Sequence, residues 1–243
     1  MAKITVIATP IGNLQDITLR AIQAIKSADL ILCEDTRTSK KILNFLEVKD
    51  KKLISYHKFN EKSTIAKMSD IFLTNQNIIL MSDAGTPSIS DPGQILIKWA
   101  HQNDVEVDFL PGACAFVAAF VLSGFDLPLV FMGFFNSKKQ QIIKQIEHFI
   151  QNYSYIFYVS PYKLIYILEV INEFYGDKVE IFLVKEMTKI HQKYFIGSPL
   201  KVLAELQNST KGEFTMVLRL KNGEKPKLKA NKYENFSKNS VKF

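Results

Sequence analysis

Residues 78–93 read Ile-Ile-Leu-Met-Ser-Asp-Ala-Gly-Thr-Pro-Ser-Ile-Ser-Asp-Pro-Gly, four apolar residues running into twelve dominated by turn formers and hydroxyls. A short continuous apolar run closed by turn residues is the pattern of a strand covered on both faces. The connection after it is long, because loops between strand and helix usually take about 2–6 residues. Long polar loops at strand ends are where function tends to reside.

Outward from this stretch the same pattern recurs at residues 4–8, 30–33, 52–56 and 105–110. Between the runs, Leu14, Ile17, Ala21, Ile22 and Ile25 repeat at helical spacing with Asp16 as the expected N-cap. Further helices are predicted over 39–46, 63–73 and 93–102. Apolar strands alternating with helices specify an α/β unit with a mainly parallel sheet. Parallel strands send their ends to one edge, where open sheets bind ligands. That edge would gather Thr9-Pro-Ile-Gly-Asn13, Glu34-Asp-Thr-Arg37, the twelve-residue loop and Pro111-Gly-Ala-Cys-Ala115.

After Pro111-Gly112 the texture changes. An apolar small-residue helix at 113–123 is followed by an aromatic strand at 129–135. A Lys/Gln-rich helix then reaches residue 151, with a strand at 155–159 and a helix at 162–175. Strands at 179–184, 192–196 and 213–220 follow one another without intervening helices, which predicts a mixed sheet. The expected organisation is an α/β domain over 1–114, an α+β domain over 115–221, and a basic, mobile arm over 222–243.

The chain has 243 residues, 47% of them hydrophobic and 23% charged, with a formal net charge of +7. Such values exclude collagen-like, low-complexity and wholly disordered classes. The arm holds six Lys and two Glu, a net +4, so the remainder carries only +3. Mild basicity suits a polyanionic partner without specifying one. Cys33 and Cys114 show no C-x-x-C spacing, which excludes a disulfide scaffold or zinc finger and points to a reducing compartment. Cys114 reads as a small buried residue rather than a nucleophile. His57, His101, His148 and His191 lack metal-ligand spacing, so no metal is expected. The most apolar stretch, 113–125, is too short to span a bilayer. A soluble cytoplasmic protein is expected. Neither G-x-G-x-x-G nor G-x-x-x-x-G-K-[ST] occurs, so the pocket should take a ligand without a phosphate chain.

Taken together and in order, Thr9-Pro-Ile-Gly-Asn-Leu-x-Asp-Ile-Thr18, Glu34-Asp-Thr-Arg37, Ser82-Asp-Ala-Gly-Thr-Pro87 with Asp91-Pro-Gly93, Pro111-Gly112, Gly133-Phe134, Lys185-Glu-x-Thr-Lys189 and Lys211-Gly-Glu213 carry a resemblance. The sequence resembles the ribosomal RNA small subunit methyltransferase I family, within the tetrapyrrole-methylase superfamily of class III S-adenosylmethionine-dependent methyltransferases. The likeness runs from about Lys3 to Leu220. It implies methyl transfer from S-adenosylmethionine to the ribose 2′-oxygen of a cytidine in the decoding region of 16S rRNA. It also implies a two-domain fold with the cofactor between domains, and a homodimer.

By position, the resemblance implies cofactor contacts at Pro10, Ile11 and Gly12, at Asp83, Gly85, Thr86, Ser88 and Ile89, and at Ala113 and Cys114. Met132, Gly133, Phe134 and Tyr158 would approach from the second domain. Glu34, Asp35 and His57 are general-base candidates by type and by their place at strand ends. Arg37 and Lys185 would bind phosphate or orient a carboxylate. The plainer reading of Glu34-Asp35 is a helix-capping turn with Arg37 as its ion-pair partner. Lys138, Lys139 and Lys163 are the candidate RNA contacts. Many relatives place Glu-Ser and then His-Arg after the strand's Phe-Tyr, where this chain has Val159-Ser160 and Tyr162-Lys163. The role of that Glu or Arg does not carry over. Two alternatives stand beside this reading: a sister enzyme that methylates a tetrapyrrole or a protein residue, and a catalytically silent ribosome-assembly binding protein.

Overall fold

The computed structural model describes residues 2–73, 77–206 and 210–221. The expected basic arm at 222–243 lies outside the described residues. Among them no helix is long and apolar enough to cross a membrane.

The first sheet has five strands, β1 (Lys3–Ile7), β2 (Leu30–Cys33), β3 (Lys52–Ser55), β4 (Asn77–Met81) and β5 (Glu106–Leu110), in the order β3-β2-β4-β1-β5. Every pairing is parallel. Alternate residues of each strand serve opposite layers. Ile4, Val6, Leu30, Leu32, Ile78 and Leu80 pack with α3 (Glu61–Phe72) and α4 (Gln94–Gln102). Ile7, Ile31, Cys33, Ile79 and Met81 pack with α1 (Leu19–Ser27) and α2 (Thr36–Phe45). With helices on both faces, the middle of the sheet has few positions for polar residues, buried Thr5 being one, which is why the runs read as nearly continuously apolar.

Two helix starts differ from expectation. Asp16 does not cap α1; it ends a short 3-10 turn (Leu14–Asp16), and Thr18 is the cap, its Oγ1 accepting from the Ala21 N–H at 3.2 Å. A hydroxyl at Thr18 competes for the same role three residues before Ala21, and the apolar spacing alone does not register the intervening turn. Helix α2 begins at Thr36 rather than 39, because Asp35 caps it through the Arg37 N–H at 2.8 Å.

The second sheet holds β6 (Leu129–Phe134), β7 (Ser154–Val159), β8 (Val179–Lys185), β9 (Lys193–Gly197) and β10 (Phe214–Leu220), in the order β6-β7-β10-β8-β9. It is mixed: β6 and β7 are parallel, the other three pairings antiparallel. Its outer face is covered by α6 (Lys139–Ile146), α7 (Leu164–Tyr175) and α8 (Pro199–Leu206). Helix α6 stops short of residue 151, and α8 stands between β9 and β10 where no helix was expected. Pro199 opens α8, a position where its missing N–H costs nothing. The inner face meets α5 (Ala115–Ser123), in a core that includes Ile156, Phe182, Val217, Met187 and, from the first half, Ile11. Helix α5 covers only part of that face. The rest looks onto the loops of the first sheet.

Candidate active site between the two sheets

The loops at the carboxyl edge of the first sheet are tied to one another. Thr9 and Gly85 exchange backbone hydrogen bonds at 2.8 and 3.0 Å, and Thr9 Oγ1 donates to the Ser82 carbonyl at 3.1 Å. The Asp35 N–H donates to Asp83 Oδ1 at 3.0 Å, and Thr86 Oγ1 to the Ala113 carbonyl at 3.1 Å. The long loop is anchored at its far end by a buried carboxylate. Glu61 Oε1 accepts from the Tyr56 hydroxyl at 2.9 Å and from the Gly93 N–H at 2.8 Å. Four separate turns thereby become one rigid edge.

Opposite this edge the second sheet supplies its own shaping. In β6 the register slips between Phe131, which opposes Ile156, and Phe134, which opposes Tyr158. Three residues against two make a bulge, and Gly133 sits in it at φ +71°. Strict alternation would turn Phe134 away from the face that Phe131 occupies; the extra residue brings it back. Both rings then meet Tyr158 edge-on, at 5.0 and 5.4 Å between centroids.

Between the two sheets lies a cavity of about 400 Å³. The second half of the chain contributes a mainly apolar wall, with Ala115, Phe134, Val184 and Met187 beside Tyr158, Ser160 and Thr215. The loops of the first sheet contribute Ile11 and Ile89 together with an acidic group, Glu34, Asp83 and Asp91, and the hydroxyl residues Thr86 and Ser90. A closed apolar surface with a few convergent polar groups is what small-molecule sites share. Burial, and then the neighbouring Asp83, raise the Glu34 carboxyl above the ordinary range, with His57 opposing. Burial does the same to Asp83. Asp91 is pushed up to about 7, first by burial and then by Glu34 and Asp83. Among the described residues none of these three carboxylates forms an ion pair with a Lys, Arg or His, and no group of three or more His, Cys, Asp or Glu is placed to hold a metal ion.

Of the residues singled out from sequence, Ile11, Glu34, Asp83, Gly85, Thr86, Ile89, Phe134 and Tyr158 meet at this cavity. The others fall around it. Pro10 is buried beside Ile11. Gly12 is pressed against the loop after β8, where a Cβ would lie 2.5 Å from Thr188 Oγ1 and 2.8 Å from the Met187 carbonyl. Asn13 N–H also donates to Thr188 Oγ1, at 3.1 Å. Ala113 offers its carbonyl to Thr86, and Cys114 precedes α5 as its half-buried cap residue.

Several expectations need correction. The Met132 side chain packs into the outer core on the far face of the sheet, so strand alternation removes it from the cavity. Ser88 turns its hydroxyl inward against Gly93 rather than into the cavity. Asp35 is engaged in the capping turn: the Arg37 guanidinium grips both its oxygens at 2.6–3.1 Å and holds its carboxyl down at about 2. The capping turn with its ion pair is therefore the structural state of Asp35 and Arg37. His57 is near enough to Glu34 to act on its charge but does not line the cavity, and its buried Nδ1 has no hydrogen-bond partner among the described residues. Lys185 lies over the Phe214 ring at 5.9 Å, behind the apolar wall. Lys139 is paired with Glu173 at 2.6 Å, whereas Lys138 and Lys163 are exposed where α6 and α7 begin.

Sequence reasoning did not single out Asp91, Glu61, Glu213 or Thr215. Asp91 lay inside a quoted motif and passed for turn chemistry. Glu213 was likewise visible; with Glu186 and Lys189 it forms an ion cluster, Lys189 Nζ being 3.0 Å from each carboxylate. That cluster braces the loop that meets Gly12.

Residues 3–202 match the family model described as Tetrapyrrole (Corrin/Porphyrin) Methylases. A protein of Mesomycoplasma conjunctivae is 56% identical over 97% of this chain and 98% of its own length, and one of Mycoplasmopsis pulmonis is 44% identical over 91% and 99%. One of Thermotoga maritima is 36% identical over 90% and 98%. All three are named ribosomal RNA small subunit methyltransferase I. Among solved structures, uroporphyrin-III-C-methyltransferase of Thermus thermophilus superposes with a TM-score of 0.63 at 11% identity, over 89% of this chain and 94% of that one. A cobalt precorrin-4 methyltransferase gives the same score at 14% identity, over 88% and 94%. At such identities the superpositions speak for the fold alone, whereas the sequence matches place the chain: it belongs to the tetrapyrrole (corrin/porphyrin) methylase family.

Proposed function

We propose that this protein transfers the methyl group of S-adenosylmethionine to the ribose 2′-oxygen of a cytidine in the decoding region of 16S rRNA, and that it works as a homodimer. The observation that carries this reading is the cavity, whose walls suit that donor, in a chain similar over nine-tenths or more of its length to relatives named for small-subunit RNA methylation.

The fit of the donor rests on charge. Glu34, Asp83 and Asp91 gather on one wall, none of them in an ion pair among the described residues, and buried carboxylates of this kind call for either a proton or a cationic ligand. S-adenosylmethionine carries a sulfonium and an ammonium. Its adenine suits the apolar lining residues Ile11, Ile89, Phe134 and Met187. When bound, it supplies an electrophilic methyl group on a good leaving group.

What remains for the protein is alignment and dehydration. The tied loops fix Glu34, Asp83 and Ile89 on one side, and the bulge fixes Phe134 on the other. Such positioning can supply on the order of 7–11 kcal/mol of a bimolecular barrier. For the RNA, Lys163 stands two residues from the cavity residue Pro161, so a phosphate it holds would lie close to the mouth; Lys138, four residues after the cavity residue Phe134, is a further exposed cation. Single-stranded RNA with an unstacked base is the substrate form such a site can admit.

The homodimer is supported by α5. This helix is apolar on every side, yet Val117, Val121 and Leu122 are exposed, Val121 by 71%, and so is Leu127 shortly after the helix, by 69%. Exposed apolar residues of this kind are what a second copy of the chain would cover. The test of the function is transfer of labelled methyl to small ribosomal subunits that lack the modification, run beside a tetrapyrrole and a total protein fraction. Label in the subunit RNA alone supports the reading; label in either other acceptor replaces it.

A further inference from the structure

The chain's carboxylates near the cleft fall into two groups. Asp35 is held by Arg37, Glu186 and Glu213 by Lys189, and Glu61 by Tyr56 and the Gly93 N–H. These are structural. Asp91 is different, and the backbone around it shows why it stands where it does. Ser88 and Ser90 both adopt φ +68°, the left-handed conformation that a Cβ disfavours. The Ser88 N–H donates to the Pro92 carbonyl at 3.2 Å and closes the turn, while the following Gly93 N–H is pinned by Glu61. This strained turn aims three successive side chains, Ile89, Ser90 and Asp91, into the cavity. Strain held by surrounding structure in this way is characteristic of functional sites.

The groups that face the Asp91 carboxyl are Glu34 from the end of β2, Asp83 and the Ser82 hydroxyl from the end of β4, and Tyr158 from β7. Glu213 lines the same cavity before β10, and His57 acts on the charge of Glu34. We propose that Asp91 accepts the proton of the acceptor hydroxyl as the methyl group is transferred. The inference rests on the methyl-transfer reading above. In that step the O–H bond breaks and its proton passes to Asp91, and the oxygen's electron pair forms the new bond to the methyl carbon. The carbon–sulfur pair leaves with sulfur, so the sulfonium becomes a neutral thioether and the protonated carboxyl later releases its proton to solvent. The upward shift of Asp91 to about 7 agrees with the role, since a base works best when its pKa lies near the operating pH. Asp35, held at about 2, does not have that basicity.

The experiment compares Asp91→Asn with the parent protein in single-turnover methyl transfer to small subunits at saturating donor, from pH 5.5 to 9 on the order of half-unit steps. Donor affinity is measured in parallel by calorimetry. The parent rate should rise with pH and then level, with its midpoint at or below about 7 because the bound cationic donor favours the ionised carboxylate. At saturating donor Asp91→Asn should lose about 10²–10⁴-fold and the rising limb with it, beyond any weakening of donor binding that the calorimetry records. Glu34→Gln should keep the limb. A rate within about threefold of the parent, a retained limb, or a loss that disappears once donor is saturating would each overturn the role. No transfer by the parent protein to any acceptor would instead overturn the methyl-transfer reading. A second readout needs no activity. A folded Asp91 that keeps its proton to about pH 7 makes the parent lose stability relative to Asp91→Asn as pH rises from 4 to 8. A stability difference flat in pH contradicts the placement of Asp91. Should Asp91→Asn misfold, Asp91→Ala with formate as an added base takes its place: recovery of rate supports the proposal and absence of recovery counts against it.

Discussion

Glu61 anchors the loop that carries most of the cavity's polar wall, and its removal should be costly in a way the structure quantifies. Its side chain is 7% exposed, and one oxygen accepts from both the fully buried Tyr56 hydroxyl and the Gly93 N–H, at 2.9 and 2.8 Å. Glu61→Ala leaves two buried donors without an acceptor. Each orphaned donor costs about 1–3 kcal/mol, so the loss should be about 2–6 kcal/mol in urea-induced unfolding. Tyr56→Phe alone removes one donor and leaves the Gly93 contact, for about 1 kcal/mol. The two changes must not add. Once Glu61 is gone, the Tyr56 hydroxyl is a liability, so Tyr56→Phe in the Glu61→Ala background should be neutral or stabilising. Because Gly93 ends the twelve-residue loop, Glu61→Ala that remains folded should also bind S-adenosylmethionine at least about tenfold more weakly, roughly 1.4 kcal/mol. Additive destabilisation, or a Glu61→Ala protein within 0.5 kcal/mol or so of the parent, would refute the assignment of Glu61 as the anchor.

Four further outcomes follow from the geometry. Gly12→Val should separate the first loop from Thr188 and the Met187 carbonyl, costing about 1–3 kcal/mol and weakening donor binding, both measurable by thermal melts and calorimetry. Gly133→Val strains the φ +71° bulge and should turn Phe134 off the cavity, lowering donor affinity while Phe131 keeps its packing; tryptic and calorimetric comparison would show it. Arg37→Ala should flatten the acid limb of stability: Asp35, depressed to about 2 when folded, stabilises above its ordinary pKa of 3.8, and that contribution disappears as pH falls from about 4 to about 2. Lys163→Ala should reduce the salt dependence of RNA binding by about 0.7 in log–log slope, whereas Lys139→Ala, whose ammonium is already held by Glu173, should leave it near the parent value.

Much of the architecture was legible because it rests on apolar periodicity. The strands at 4–8, 30–33 and 78–81 are buried on both faces, and no other local structure demands so many consecutive apolar residues. Where one residue decides an element, periodicity was blind. Thr18 displaced Asp16 as a cap through a 3-10 turn, and α8 sat unseen behind its opening Pro199. The site was half visible for the same reason. Polar loops at strand ends announced the edge, but which of their side chains enter the cavity depends on the bulge at Gly133 and the left-handed pair Ser88 and Ser90. Those conformations aim Phe134 and Asp91 inward, turn Ser88 against Gly93, and leave Met132 on the far face. Nothing in residue type announces a left-handed serine, and Gly133, though it permits its positive φ, does not by itself announce a bulge.

The central claim is methyl transfer to a ribose oxygen from donor held between the two sheets, and its most direct test is chemical. Small-subunit RNA labelled by the protein from S-adenosylmethionine would be hydrolysed in alkali, which spares only a linkage whose 2′-oxygen is blocked. Label recovered in one alkali-resistant dinucleotide beginning with cytidine, and lost in Asp91→Asn, is the predicted result. Label released in mononucleotides would place the methyl on a base and contradict the proposed chemistry.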